Sequence, residues 1–84
     1  MERIEVERLS PGIVRLPGRQ FPGTVIQGDS LSVLRAEVAE IGAACAAGDQ
    51  AAAQEAASLL LNKLDALLAD YEDALARHGI QRPY

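Results

Sequence analysis

A stretch rich in proline and glycine, residues 17–31, separates two halves of the chain that follow different sequence patterns. It holds two of the four prolines and three of the seven glycines. Proline fixes φ and glycine adopts conformations that other residues avoid, so the backbone here is tightly specified. The residues before this stretch alternate like strands, and those after it have helical spacing. The sequence therefore predicts an α+β fold.

Three short strands are predicted before the helices. Residues 2–9 alternate apolar and polar side chains, with Ile4 and Val6 on one face, which indicates a half-buried strand. Residues 13–16 and 24–27 are two further candidates. A meander of two or three short antiparallel strands is barely stable alone. We therefore expect it to pack against a helix.

Helix one is expected from about residue 31 to residue 47, with Asp29 or Ser30 as its N-cap. Its apolar residues recur at spacings of three and four, which predicts one buried stripe. Cys45 ends this stripe, and we interpret it as a small buried hydrophobe. The stripe consists of Leu31, Leu34, Val38, Ile41 and Cys45.

A tight turn is predicted at Gly48 and Asp49. Glycine suits the left-handed position after a helix, and aspartate suits the next N-cap. Helix two should run from about residue 50 to His78 and end at Gly79. His78 would then interact favourably with the helix dipole. We expect one domain with a strand and turn region at 1–28, helix one at 29–48, helix two at 49–79 and a tail at 80–84.

Helix two carries more leucine than one partner helix can cover. At 1.5 Å per residue it would be about 43 Å long, against about 26 Å for helix one. The sheet can cover part of this surface, beside residues 67–78. A second copy of the chain is the other candidate, and we expect a homodimer formed through this helix. The alternative is a monomer in which helix two bends or frays. The predicted dimerisation residues are Leu60, Leu64, Leu67, Leu68, Tyr71 and Leu75.

A second recognition element is predicted between two Pro-Gly corners, where Arg19, Gln20 and Phe21 stand together. Arginine and aromatic residues are enriched at binding hot spots. With Gln27, these residues form the predicted partner-binding set. Alternatively, Phe21 fills a gap between sheet and helices, and Arg19 pairs with an acidic residue of helix two.

The sequence Gly28-Asp29-Ser30-Leu31 spells a motif of a large esterase and lipase class, in which the serine is the nucleophile. The only histidine, His78, has Leu75 three residues before it instead of an acid. Since the triad partners are missing, we expect no enzymatic activity. Capping explains the motif, and an anion or small-molecule site at this helix start is the alternative function.

Charge and cysteine content exclude further classes. The net charge is −4, and the acidic residues concentrate after residue 28, where they would repel the phosphates of a nucleic acid. A lone cysteine, no signal-peptide pattern and no long apolar run favour a cytoplasmic protein without membrane contact. No spacing suits a metal or cofactor. The expected function is a non-enzymatic protein-interaction module with an accessory or immunity-like role.

The run from Leu16 to Leu31, LPGRQFPGTVIQGDSL, resembles the signature of a small uncharacterised bacterial family, a domain of unknown function. The similarity covers mainly residues 4–45. It implies no reaction, substrate or catalytic residue.

Overall fold

The computed structural model of the chain describes residues 5–84. It contains three strands and two helices, and the α+β prediction with a helical hairpin is confirmed. The predicted position of Ile4 lies outside the described residues. The elements are β1 (Glu7–Ser10), β2 (Ile13–Arg15), β3 (Gly23–Thr24), α1 (Gly28–Ala46) and α2 (Gln50–Arg77).

The chain divides into two compact units. Among the described residues, we call 5–25 with 67–84 the sheet unit, and 26–66 the hairpin unit. The sheet unit thus combines the strands with the C-terminal part of α2. The hairpin unit combines α1 with the N-terminal part of α2.

The sheet is an antiparallel meander in the order β1-β2-β3. Glu7 lies opposite Arg15, and the register shifts between Arg8 and Ser10, so Leu9 forms a bulge. The strands are shorter than predicted. The third ends at Thr24, although Val25 still donates its N–H to the Gly12 carbonyl at 2.7 Å.

The core of the described residues lies entirely in the sheet unit. Leu9 and Ile13 from the strands meet the C-terminal part of α2, and Ile80 packs against the same cluster after the helix has ended. The sheet needs this cover because so short a meander has no stability of its own. The buried core cluster consists of Leu9, Ile13, Tyr71, Ala74 and Leu75.

The end of α2 is held by two hydrogen bonds beyond the helix. The Ile80 N–H donates to the Leu75 carbonyl at 2.9 Å, which turns the tail back towards the core. His78 Nε2 lies 3.0 Å from the Leu9 carbonyl oxygen. Since a carbonyl only accepts, Nε2 carries the proton. His78 therefore connects α2 to β1, a role that the helix-dipole interpretation missed.

The turn between the helices matches its prediction. Gly48 has φ of 73°, in the left-handed region that suits glycine. The Asp49 carboxylate accepts the Ala52 N–H at 3.1 Å, as an N-cap should. The predicted cap of α1 is wrong, because α1 begins at Gly28 and its N-cap residue is Gln27, without a side-chain hydrogen bond.

In the hairpin unit, a single narrow stripe of residues on each helix contacts the other helix. The Lys63 ammonium donates to the Glu37 carboxylate between them. No residue from 26 to 66 is buried, and the predicted buried position of Cys45 is exposed. The half-buried positions are Leu34, Glu37, Ile41 and Ala44 on α1, and Ala53, Ala56 and Leu60 on α2.

Candidate protein-interaction site

A tight turn at residues 16–19 opens the segment that the sequence singles out for recognition. The Arg19 N–H donates to the Leu16 carbonyl at 3.1 Å. Gly18 has φ of 77°. A type II turn requires a positive φ at its third position, which glycine supplies, and proline is common at its second position. Pro17 and Gly18 therefore fix the direction in which Arg19 leaves the sheet.

Two side chains hold the backbone on either side of Phe21. The Tyr71 hydroxyl donates a buried hydrogen bond to the Pro22 carbonyl at 2.8 Å. Arg15 Nη1 donates to the Gln20 carbonyl at 3.3 Å. The Arg15 guanidinium is itself held by the Glu7 carboxylate at 2.7 Å and 2.8 Å. The loop is thus pre-organised rather than free to adapt.

Apolar side chains that this loop carries remain in contact with solvent. Phe21 is 36% exposed, and Leu16 and Val25 are more exposed still. With Arg19 they line a groove of about 380 Å³. Large apolar side chains grouped at a surface are typical of interaction sites. We call Leu16, Arg19, Phe21 and Val25 the loop platform.

A second groove, of about 480 Å³, lies along the other side of the turn. Leu16 and Arg19 line both grooves, whereas Glu5, Glu7 and Arg15 line only the second. One side of the turn is therefore mainly apolar and the other carries charge. Arg19 has no ion-pair partner among residues 5–84 and remains available to an acidic group.

The predicted partner-binding residues fall in different places. Arg19, Gln20 and Phe21 are all exposed on the loop, and Phe21 is not part of the buried cluster. Gln27 belongs to the hairpin unit, so we leave it out of the platform. Sequence reasoning missed Leu16 and Val25, since an apolar residue at a strand end reads as core.

The predicted dimerisation residues differ in exposure. Tyr71 and Leu75 are buried in a cluster that includes strand residues of their own chain. Leu60 and Leu67 are half-buried, whereas Leu64 and Leu68 are exposed. These leucines and Tyr71 share one helical spacing, although the strands cover only the later part of it.

The start of α1 offers little to a ligand. The Asp29 carboxylate accepts the Ser30 N–H at 2.8 Å, and it places negative charge at the helix end that would attract an anion. Ser30 is exposed, and its only candidate base, His78, has Nε2 engaged with Leu9. The contacts at this helix start support neither an anion or small-molecule site nor a hydrolase.

The whole chain, residues 1–84, matches the model of the Family of unknown function DUF6959. The chain belongs to this family. No curated protein and no solved structure matches it. Membership of DUF6959 thus supports the uncharacterised-family resemblance, and it supplies no activity for the loop platform.

Two further findings concern the part of the chain that the structure describes. Neither helix there is long and apolar enough to cross a membrane. Within residues 5–84, no three side chains of histidine, cysteine, aspartate or glutamate come together as metal ligands would.

Proposed function

We propose that this protein is a non-enzymatic protein-interaction module that self-associates and presents its loop platform to a protein partner. The observation that supports partner binding is an exposed phenylalanine on a loop whose backbone is fixed on both sides by Tyr71 and Arg15. Exposing the Phe21 side chain to water costs free energy. Because the loop is already ordered, it loses less conformational entropy when a partner binds.

The platform favours a partner of particular chemistry. The groove beside Phe21 accepts an apolar side chain, since Leu16, Pro22 and Val25 line it. Arg19, at the same groove, offers a planar guanidinium to a carboxylate. The expected partner surface therefore combines an apolar side chain with a neighbouring aspartate, glutamate or chain-terminal carboxylate.

Comparative capture from a native lysate tests this function. The full chain, its Phe21→Ser variant and a Tyr84→Ser control are immobilised in parallel, since Tyr84 is an aromatic residue 65% exposed and outside the platform. We expect a protein that binds the wild type and Tyr84→Ser, and that Phe21→Ser loses. Titration of that purified protein against Arg19→Ala should then show weakened binding.

An identical set of captured proteins on all three chains would contradict the proposal. Folding of the variants is checked by the buried Tyr71, whose environment should not change when the exposed Phe21 is replaced. A loss of that signal would require the milder Phe21→Leu, which keeps the apolar volume and should retain binding.

A further inference from the structure

We infer that one face of the hairpin unit is the docking surface for a second copy of this chain, in a two-fold arrangement that makes a four-helix bundle. This inference deepens the self-association in the proposed function by naming the face and the relative orientation. It starts from the absence of any buried residue between residues 26 and 66. Two helices in contact along narrow stripes enclose no core, and helices gain most of their stability from burying an apolar face.

The hairpin has two broad faces, and their chemistry differs. One contains a groove of about 320 Å³, where Glu40 and Glu55 stand beside Leu59. The opposite flanks of both helices form the other face. On α1 its residues recur at a spacing of seven, and on α2 they recur at spacings of four and three. We call this second face the leucine face: Leu31, Val38, Gly42, Cys45, Ala57, Leu61 and Leu64.

The leucine face carries no charged residue. Leu31, Val38, Leu61 and Leu64 are all about half exposed, and Cys45 is exposed as well. Gly42 lies in the middle of the face. A Cβ at that position would meet nothing within 4 Å in its own chain. Packing within the chain therefore gives no reason for a glycine, which weakens a helix interior relative to alanine, whereas close approach of a second helix does.

The size of the face suits a dimer. α1 is about 28 Å long at 1.5 Å per residue, and helix axes in contact lie about 8–10 Å apart. Two adjacent helices thus offer a footprint of roughly 28 by 20 Å, whose accessible surface approaches the ~800 Å² per partner of a standard interface.

Charges at the edges favour a second copy and select its orientation. Arg35 lies on the outer edge of the leucine face on α1, and Asp65 lies on the outer edge on α2. The Lys63–Glu37 contact sets their level: Arg35 is two residues before Glu37, and Asp65 is two residues after Lys63. Because the helices are antiparallel, both lie at the same height. Neither has an ion-pair partner among the described residues.

A two-fold axis parallel to the helices preserves that height and places α1 over α2 of the second copy. Arg35 then meets Asp65 of the second copy, twice per dimer. Val38 lies at about the level of Leu61 of the second copy, and Cys45 at the level of small residues. A two-fold axis perpendicular to the helices would instead place α1 over α1 of the second copy. The Arg35 side chains would then share one edge of the interface and the Asp65 side chains the other. Like charges repel, so the parallel axis is favoured.

Two leucines provide a matched test of this face. Leu61 is 58% exposed on the leucine face, and Leu59 is 57% exposed on the groove face of the same helix. Sedimentation equilibrium of the full chain from micromolar to millimolar concentration should give a dimer for the wild type, twice the chain mass of 8.9 kDa. Leu59→Glu should remain dimeric. Leu61→Glu should raise the dissociation constant by about 100-fold or more, because each dimer would bury two carboxylates.

Charge exchange provides a second test that leaves the apolar residues untouched. Arg35→Asp and Asp65→Arg should each weaken the dimer by a few-fold, and the double variant should recover most of the wild-type affinity. This measurement decides the matter if Leu61→Glu fails to fold.

Three results would overturn the inference. The wild type could be monomeric at every concentration, or Leu59→Glu and Leu61→Glu could raise the dissociation constant of the dimer equally. The double charge variant could also fail to recover the wild-type affinity. A wild type that is monomeric alone but associates with lipid vesicles through Leu61 would assign the face to a membrane surface instead. Partner capture through Phe21 is scored separately, so loss of the dimer would leave the loop platform standing, and the reverse also holds.

Discussion

The sheet unit and the hairpin unit use similar amphipathic helix in opposite ways. Along the later part of α2, Tyr71 and Leu75 are buried by strands from the beginning of the chain. Along its earlier part, Leu61 and Leu64 follow the same helical spacing and remain exposed. The difference lies in what the topology brings against each segment. A helical leucine pattern therefore indicates that cover is needed, and it does not indicate whether the cover comes from the same chain.

The largest effect should come from Leu75→Ala. Leu75 is 1% exposed and lies in the core of the sheet unit, so truncation leaves a cavity that costs about 2–5 kcal/mol of unfolding free energy. Leu59→Ala, on the exposed part of the same helix, should change it by less than about 0.5 kcal/mol. Urea denaturation followed by circular dichroism measures both. Equal effects at the two positions would contradict the contrast between the units.

The next effect should come from Tyr71→Phe. Removing the hydroxyl leaves the buried Pro22 carbonyl without its donor, which costs about 1–3 kcal/mol. Tyr84→Phe is the control, since Tyr84 is exposed and should give almost no change. The same denaturation experiment applies. A Tyr71→Phe variant as stable as the wild type would mean that the loop platform is held by other contacts.

Concentration dependence should separate the two units. If the hairpin unit is completed by a second copy, a tenfold rise in protein concentration stabilises its dimeric state by about 1.4 kcal/mol. Amide hydrogen exchange should then slow in α1 as concentration rises, and Leu61→Glu should remove this response. Exchange in α1 that is independent of concentration would show that the hairpin unit needs no second copy.

The smallest effect concerns the turn between the helices. Asp49→Ala removes the acceptor of the Ala52 N–H and should cost about 1 kcal/mol. Asp49→Asn keeps an acceptor and should cost less. Thermal denaturation compares the two variants. If alanine and asparagine behave alike, the cap contributes nothing beyond helix propensity.

Local features of this fold could be predicted from the sequence because they depend on neighbouring residues. The turn at Gly48, the cap at Asp49 and the strand-to-helix order all follow from backbone preferences. The start of α1 at Gly28 could not be predicted, since nothing in Gln27 marks it as an N-cap. Such starts depend on backbone geometry that a polar side chain without a capping bond does not reveal.

The candidate site shows the limit of sequence reasoning more clearly. Arg19 and Phe21 stood out because prolines and glycines surround them. Their anchor, Tyr71, could not be found from spacing, since it lies 49 residues from Pro22. Its helical pattern pointed equally well to a dimer contact. Only the long-range pairing of strand and helix distinguishes the two roles.

The hydrogen bond between His78 and Leu9 joins residues 69 positions apart, and this separation has a consequence for biosynthesis. The hairpin unit is one continuous segment, so its helices can meet before the separate segments of the sheet unit do. The sheet unit is discontinuous, and its first strands must wait for residues up to Ile80 to leave the ribosome. Contacts that are distant in sequence form late. A nascent chain of this protein should therefore expose Leu9 and Ile13 to cellular chaperones until Ile80 has left the ribosome.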